Sequence, residues 1–249
     1  MVIGVLGGTG QVGREVVREL ERRGHEAIAL SRKAPHGAGG GEHRAVDVAT
    51  GEGLDAAVAG LDVVVDVLQG SEKVLVAGLE RALAAARRAG ARHVVSLSIL
   101  GADRVPLGYY RTKMAQEAVV RESGVPWTIV RATQFHTMVA AIFAAGARFG
   151  VLPAPRVPLQ PVDPGEVAVE LADRVEAGPD DDVHLFAGPR VERVDELARA
   201  WARAKGVRRP AVPLPAVGPT LRAVRAGGLT DPSAARGDRT FADWLAHAR

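Results

Sequence analysis

The apolar segment VIGVL, Val2 to Leu6, runs directly into GGTGQVG, where Gly7, Gly10 and Gly13 stand three residues apart. After it, Val12, Val16, Val17 and Leu20 fall on one helical face and Arg14, Glu15, Arg18 and Glu19 on the other, until Gly24 stops the pattern. A strand, a tight glycine turn and a helix are therefore expected in immediate succession. Glycines permit such a turn and let the backbone approach a pyrophosphate, while the helix amino end offers free N–H groups and positive potential. This unit predicts a dinucleotide site, with Gly7, Thr9, Gly10, Gln11 and Val12 as its phosphate-side residues.

The same alternation continues along the chain. EAIAL, LDVVVDV, HVVSLS and WTIV read as strands, separated by EKVLVAGLERALAAARRAG and the segment around GYYRTK as helices. Strands and helices alternating at this spacing imply right-handed crossovers and a parallel sheet, the doubly wound α/β (Rossmann) class. Periodicity weakens near residue 150, where VLPAPRVPLQPVDP carries five prolines and is expected to be loop or edge strand. The expected organisation is a dinucleotide-binding domain over 1–150. Residues 151–249 supply the remaining sheet elements and a small substrate lobe, the whole forming one integrated unit.

The second strand bears on which dinucleotide is bound. An NAD-preferring protein places an acid at the carboxyl end of that strand to hold the ribose 2′-hydroxyl. Here the end reads ALSRK, and the nearest acid, Glu26, lies at the start of the strand. Ser31, Arg32 and Lys33 lie where a 2′-phosphate would sit, and guanidinium matches phosphate as a bidentate partner. NADP(H) is therefore expected over NAD(H). Asp47 and Val48 are candidates for the adenine, with turn capping as the alternative role for Asp47, and Leu68 and Gln69 close the fourth strand at the ligand-binding edge of such sheets.

Composition narrows the remaining classes. With 47% hydrophobic residues the chain can bury a large core, and with no cysteine it has no disulfides or thiolate metal sites. The seven histidines show no metal-ligand spacing, so no metal is expected. The amino terminus lacks a basic leader, and the longest apolar run, beginning at Met138, is too short to cross a bilayer. A cytoplasmic protein without a membrane partner is expected. Acids interleave with the arginines at a net charge of +3, which argues for a mixed solvated surface over a nucleic-acid footprint.

The chain has two tyrosines, adjacent in GYYRTK, and Tyr109 precedes Lys113 by four residues, hence shares a helical face with it. Tyr110, three residues from the same lysine, fits the spacing too. Lysine is scarce here: Lys113 is one of four in a chain that otherwise uses arginine.

GGTGQVG, ALSRK, DVVVDV, HVVSLS and the Tyr109/Lys113 pair together resemble the short-chain dehydrogenase/reductase superfamily, and most of all its atypical NmrA-like, epimerase/dehydratase-like NAD(P)H-binding branch. The resemblance implies Tyr109 as proton donor, Lys113 as the cation that holds the nicotinamide ribose and lowers the phenol pKa, and Ser98 as the group orienting a carbonyl, with Ser96 as the fallback. Moving a tyrosine from about 10 to about 7 takes roughly 4 kcal/mol. One ammonium at about 4 Å supplies that much at an effective dielectric near 20. The chain departs from the superfamily pattern at Ala132, where a proline is usual.

RATQFHTM is expected to line the substrate side, with Gln134 and His136 as polar contacts and Phe135 and Met138 as apolar walls. Beyond Arg131 that segment carries no formal charge, which favours an uncharged carbonyl or quinone. The resulting expectation is an NADPH-dependent oxidoreductase acting on a small molecule, as monomer or homodimer. The alternatives are a non-catalytic NADP(H) sensor and a nucleotide-sugar epimerase or dehydratase.

Overall fold

The structure is a computed structural model that describes residues 1–34, 41–213 and 217–247. Most of the glycine-rich segment that follows ALSRK and the centre of the proline-rich segment RPAVPLPAVGP lie outside them. The chain opens with β1 (Val2–Leu6), α1 (Gln11–Arg22), β2 (Glu26–Ser31), β3 (His43–Ala45), α2 (Leu54–Val58) and β4 (Val63–Asp66). A π-helical segment, Lys73–Gly78, leads into α3 (Leu79–Arg88), then β5 (His93–Ile99), α4 (Gly108–Glu122), β6 (Trp127–Ala132) and α5 (His136–Arg148). The remainder holds β7 (Leu152–Pro153), β8 (Pro158–Leu159), α6 (Pro164–Ala177), β9 (Val183–Ala187), β10 (Glu192–Arg193), α7 (Val194–Ala204), β11 (Ala211–Val212), α8 (Gly218–Arg225), β12 (Ala235–Arg236) and α9 (Phe241–His247).

Two compact units interleave along the chain. The first comprises Met1–Ser98, Thr112–Arg131 and Val167–His184, the second Ile99–Arg111, Ala132–Glu166 and Leu185–Arg249. The first carries the doubly wound sheet, in which β9, β6, β5, β4, β1, β2 and β3 follow one another. Its pairs β1–β2, β1–β4, β2–β3 and β4–β5 are parallel. The order reverses direction at β1, the strand that delivers the glycine turn, and such a switch point is where open α/β sheets take ligands.

The packing follows from the pattern. β4 reads VVVD and is buried at every position, as a strand covered on both faces must be. Val16 and Leu20 of α1, both fully buried, lie on the stripe the sequence marks. Beyond α1, the Arg23 guanidinium donates to Glu19 (2.8 Å), Asp173 (2.7 Å) and Glu176 (2.7 Å), tying α1 to α6.

In the second unit β12 pairs parallel with the end of β9. The proline-rich stretch forms two short strands, β7 parallel to β11 and β8 antiparallel to β10. Trp201 packs on Phe143 at 6.1 Å between ring centroids, and Phe241 stacks on Trp244 at 5.8 Å. The apolar run beginning at Met138, read from sequence as too short to cross a bilayer, is the body of helix α5.

Candidate active site

The glycine turn is built from backbone contacts that exclude side chains. Gly7 has φ +80°, and a Cβ there would stand 3.1 Å from the Val67 carbonyl oxygen. A Cβ on Gly13 would strike the Gly7 carbonyl, so α1 can begin this close to the turn only with glycine at that position. Gly7 N–H donates to Leu30 O (3.0 Å) and Gly10 N–H to Gly7 O (2.8 Å). Gly10 enters α1 in extended conformation without a side-chain cap, and the first turn holds no acid, so its amides and the helix potential remain available to an anion. Arg14 braces the turn by donating to Thr9 O at 2.6 Å.

Beside this turn lies a cleft of about 360 Å³. Gly7, Thr9 and Gly10 line it from the turn, and Ser31, Arg32 and Lys33 from the end of β2. Asp47 and Val48 contribute from the turn after β3, Leu68 and Gln69 from the segment after β4. Leu30, Val46, Ala49, Val67 and Val74 complete the lining; none was singled out from sequence, and their signal is adjacency to residues that were. Gln11 and Val12 sit in the first turn of α1, Val12 buried beneath it.

Arg32 and Lys33 are exposed and make no ion pair with any described carboxylate. Ser31 Oγ donates to Lys33 O (2.8 Å), and the His43 ring lies 3.0 Å from the same hydroxyl, which fixes the end of β2. One Asp47 oxygen accepts the Ala49 N–H at 2.8 Å, capping its own turn.

A second cluster of the first unit surrounds Lys113, which is 1% exposed and donates to the Leu97 carbonyl at 2.7 Å. Two buried carboxylates flank it. The β4–β5 register sets Asp66 opposite Ser96; Asp66 accepts from Ser96 Oγ (2.8 Å), Gln116 Nε2 (2.6 Å) and Leu68 N–H (3.1 Å). Glu117 accepts from Ser98 Oγ at 2.6 Å, from Arg131 through two nitrogens at 2.8 Å each, and from Arg121 at 3.0 Å. Burial pushes the Lys113 ammonium below the usual lysine range, opposed by the charges of Asp66 and Glu117. Burial alone would raise Glu117; Arg131 and Ser98 outweigh it and hold the carboxyl below its usual range. Both serines named from the sequence thus donate to carboxylates and keep only acceptor capacity.

Tyr109 and Tyr110 stand in the first turn of α4, in the second unit. Tyr110 is buried, which pushes its phenol up, whereas Tyr109 is half-buried. Gln134 and Phe135 continue from β6, Phe135 bridged to Val162. Gln134 is 7% exposed, and its amide faces the Tyr110 phenol, on which it acts against the effect of burial. His136 is fully buried, with Nε2 donating to Arg239 O (3.0 Å) and the ring packed on Phe241 and Trp244. Burial lowers its pKa. Met138 is exposed.

A parallel sheet with a switch point at β1, a side-chain-free turn into α1 and a cleft flanked by Arg32 define a nucleotide-binding α/β protein of the Rossmann type. The profile of the NAD(P)H-binding family matches residues 7–140, and the chain belongs to that family. Membership agrees with the NmrA-like resemblance drawn from the motifs. A relative from Streptomyces griseus subsp. griseus, (4-alkanoyl-5-oxo-2,5-dihydrofuran-3-yl)methyl phosphate reductase, is 33% identical over 80% of this chain and 73% of its own. Among solved structures, the NADPH complex of the Escherichia coli quinone oxidoreductase QOR2 superposes with a TM-score of 0.82 at 21% identity, covering 99% of each chain. The NADP(H) complex of the Citrobacter sp. triphenylmethane reductase gives 0.81 at 20% identity over 100% of each. Among the described residues no helix is long and apolar enough to cross a membrane, and none form a group of three or more His, Asp or Glu able to hold a metal ion.

Proposed function

We propose that this protein is an NADPH-dependent reductase of a small carbonyl or quinone compound. The observation that carries the reading is the cleft of the first unit: a glycine turn that admits a pyrophosphate at one side, and Arg32 with Lys33, unpaired among the described residues, at the other. Gly7, Thr9 and Gly10, with the first-turn amides of Gln11 and Val12, would hold the pyrophosphate. Ser31, Arg32 and Lys33 would hold the 2′-phosphate, and Val48 with Leu68 would supply apolar contact to the adenine side. NADPH, when bound, supplies the hydride.

Tyr109 is the proposed proton donor to the acceptor oxygen, so that hydride and proton together convert a carbonyl to an alcohol. Lys113, one helical turn on, is the proposed cation that lowers the phenol pKa and holds the nicotinamide ribose. Ser98 is proposed to orient the substrate oxygen, which requires its hydroxyl to turn from the Glu117 carboxylate it now donates to, and Gln134 to bind a second polar group of the substrate, with Phe135, His136 and Met138 beside it.

The test follows NADPH oxidation with quinones, aldehydes, ketones and an oxo-dihydrofuran methyl phosphate, the last because a reductase of such a phosphate is a relative. Loss of turnover by about 10²-fold or more in Tyr109→Phe is expected, with NADPH affinity unchanged and Tyr110→Phe near wild type. Turnover indifferent to Tyr109→Phe would refute the assignment. A second reading, an NADP(H) sensor without chemistry, is favoured by one observation: Ser96 and Ser98 both spend their protons on carboxylates. Tight NADPH binding with no turnover across the panel would support it.

A further inference from the structure

Asp66 and Glu117 take no part in the chemistry just described, yet both are buried and both flank Lys113. Asp66 is fully buried and Glu117 1% exposed, on β4 and α4 respectively. Carboxylates are almost never buried this deeply unless something holds them. The hydrogen bonds that hold them also fix α4 against the sheet: Gln116 reaches Asp66, and Glu117 is fastened to β5 through Ser98 and to β6 through Arg131. Lys113 lies on the same helix, between Gln116 and the turn bearing Tyr109, and among the described residues its amine makes one hydrogen bond, to a backbone carbonyl. One carbonyl does not compensate the loss of water around an ammonium.

We infer that Asp66 and Glu117 are positioning residues for Lys113: their hydrogen bonds lock the lysine's stretch of α4 onto β4, β5 and β6, and their charges keep the buried amine an ammonium at neutral pH. The purpose of the device rests on the reading above, in which Lys113 serves the cofactor and Tyr109. The charged groups around it are Asp66 from β4, Glu117 and Arg121 from α4, and Arg131 from β6; β5 contributes the Leu97 carbonyl and the hydroxyls of Ser96 and Ser98. The two arginines bond Glu117, so the charge balance near the amine depends on both acids.

The amine can be observed directly. With Cε-labelled lysine the chain gives four signals, and the one lost in Lys113→Met is Lys113. In the wild-type protein it is expected to show the ammonium shift at pH 7, whereas an uncompensated buried lysine titrates near 5–6. Asp66→Asn and Glu117→Gln should each lower the midpoint by about one pH unit or more, the usual effect of one opposite charge. The alkaline weakening of NADPH binding, read by fluorescence, should move down by the same amount. Ser96→Ala, which removes a hydrogen bond but no charge, should leave the midpoint in place.

A Lys113 amine found neutral at pH 7 in the wild-type protein would overturn the inference whether or not the variants fold. So would midpoints unmoved in both charge variants. Shifted midpoints combined with NADPH binding indifferent to Lys113→Met would leave the charge device standing and remove the cofactor role assigned to Lys113.

Discussion

The imidazole of His93 on β5 lies 3.0 Å from the hydroxyl of Thr128 on β6, and that hydroxyl donates in turn to Asp180 at 2.9 Å. The chain of bonds sets the tautomer. Because Thr128 gives its proton to Asp180, it accepts from His93 Nε2–H, which leaves Nδ1 unprotonated, buried and without a partner among the described residues. Protonating Nδ1 would create a buried, unsatisfied cation. Burial accordingly lowers the His93 pKa to about 4, with Asp180 and Asp181 opposing.

A folded pKa depressed from the ordinary value near 6.5 gives a definite sign. Between the two values the unfolded chain holds a proton that the folded chain does not, so stability falls as pH falls through this window. Urea unfolding should show about 2 kcal/mol less stability at pH 5 than at pH 7 from this group alone. In His93→Phe that increment should vanish from the difference between the two pH values, whatever the variant's absolute stability.

Arg32 is the residue on which cofactor choice should turn. It lines the cleft and has no ion pair among the described residues. A charge-assisted bond to phosphate is worth about 1.5–3 kcal/mol, so Arg32→Ala should weaken NADPH binding by roughly 10- to 150-fold. NADH affinity should change by no more than about twofold, since no 2′-phosphate is there to lose. Equal losses for both dinucleotides, measured by fluorescence titration, would assign Arg32 a general electrostatic role instead.

The first unit was readable because its rules are local. Val16 and Leu20 announce their buried face by helical spacing, and VVVD announces a strand covered on both sides. What stayed hidden depends on contacts across the fold. EKVLVAGLERALAAARRAG reads as one helix, yet its first part is π-helical, and a Cβ on Gly78 would come within 3.0 Å of Val48 Cγ2. Sequence spacing does not show that approach. The Asp66–Ser96 and Glu117–Arg131 partnerships join residues far apart in sequence through the β4–β5 register and the packing of α4. Their one trace was an acid closing an otherwise apolar strand. Ser98 and Ser96 were noticed, but the carboxylates that occupy them were not.

The glycine turn allows a test of tightness against backbone strain. Alanine at Gly13 would meet the Gly7 carbonyl and Gly8 Cα, backbone atoms that cannot rotate away. Overpacking of that kind costs about 1–3 kcal/mol, and the shift of the turn should also reduce NADPH affinity by tenfold or more. Gly24, with φ +83° and open space around its would-be Cβ, is the comparison. Gly24→Ala should cost about 1–2 kcal/mol from left-handed backbone strain and leave NADPH affinity unchanged. Calorimetry and dinucleotide titration on both variants separate the two effects.

The Glu117–Arg131 pair should behave as a buried ion pair does when broken from one side. Glu117 is 1% exposed and the Arg131 side chain 14%, and two guanidinium nitrogens reach the carboxylate. Replacing Arg131 by Met removes the stronger of the two arginine partners while Ser98 and Arg121 remain. The expected loss is about 2–3 kcal/mol, below the roughly 3–5 kcal/mol typical when a buried charge loses every partner. With Arg131 gone, burial again dominates Glu117, so its carboxyl should titrate higher; protonation then removes the under-paired buried charge, and the variant's stability deficit against wild type should shrink as pH falls. The double variant Glu117→Gln with Arg131→Met should recover part of the loss, because no buried charge is then left unpaired. A double variant as unstable as the sum of the singles would show that the two residues act independently, and that the bidentate contact contributes nothing beyond packing.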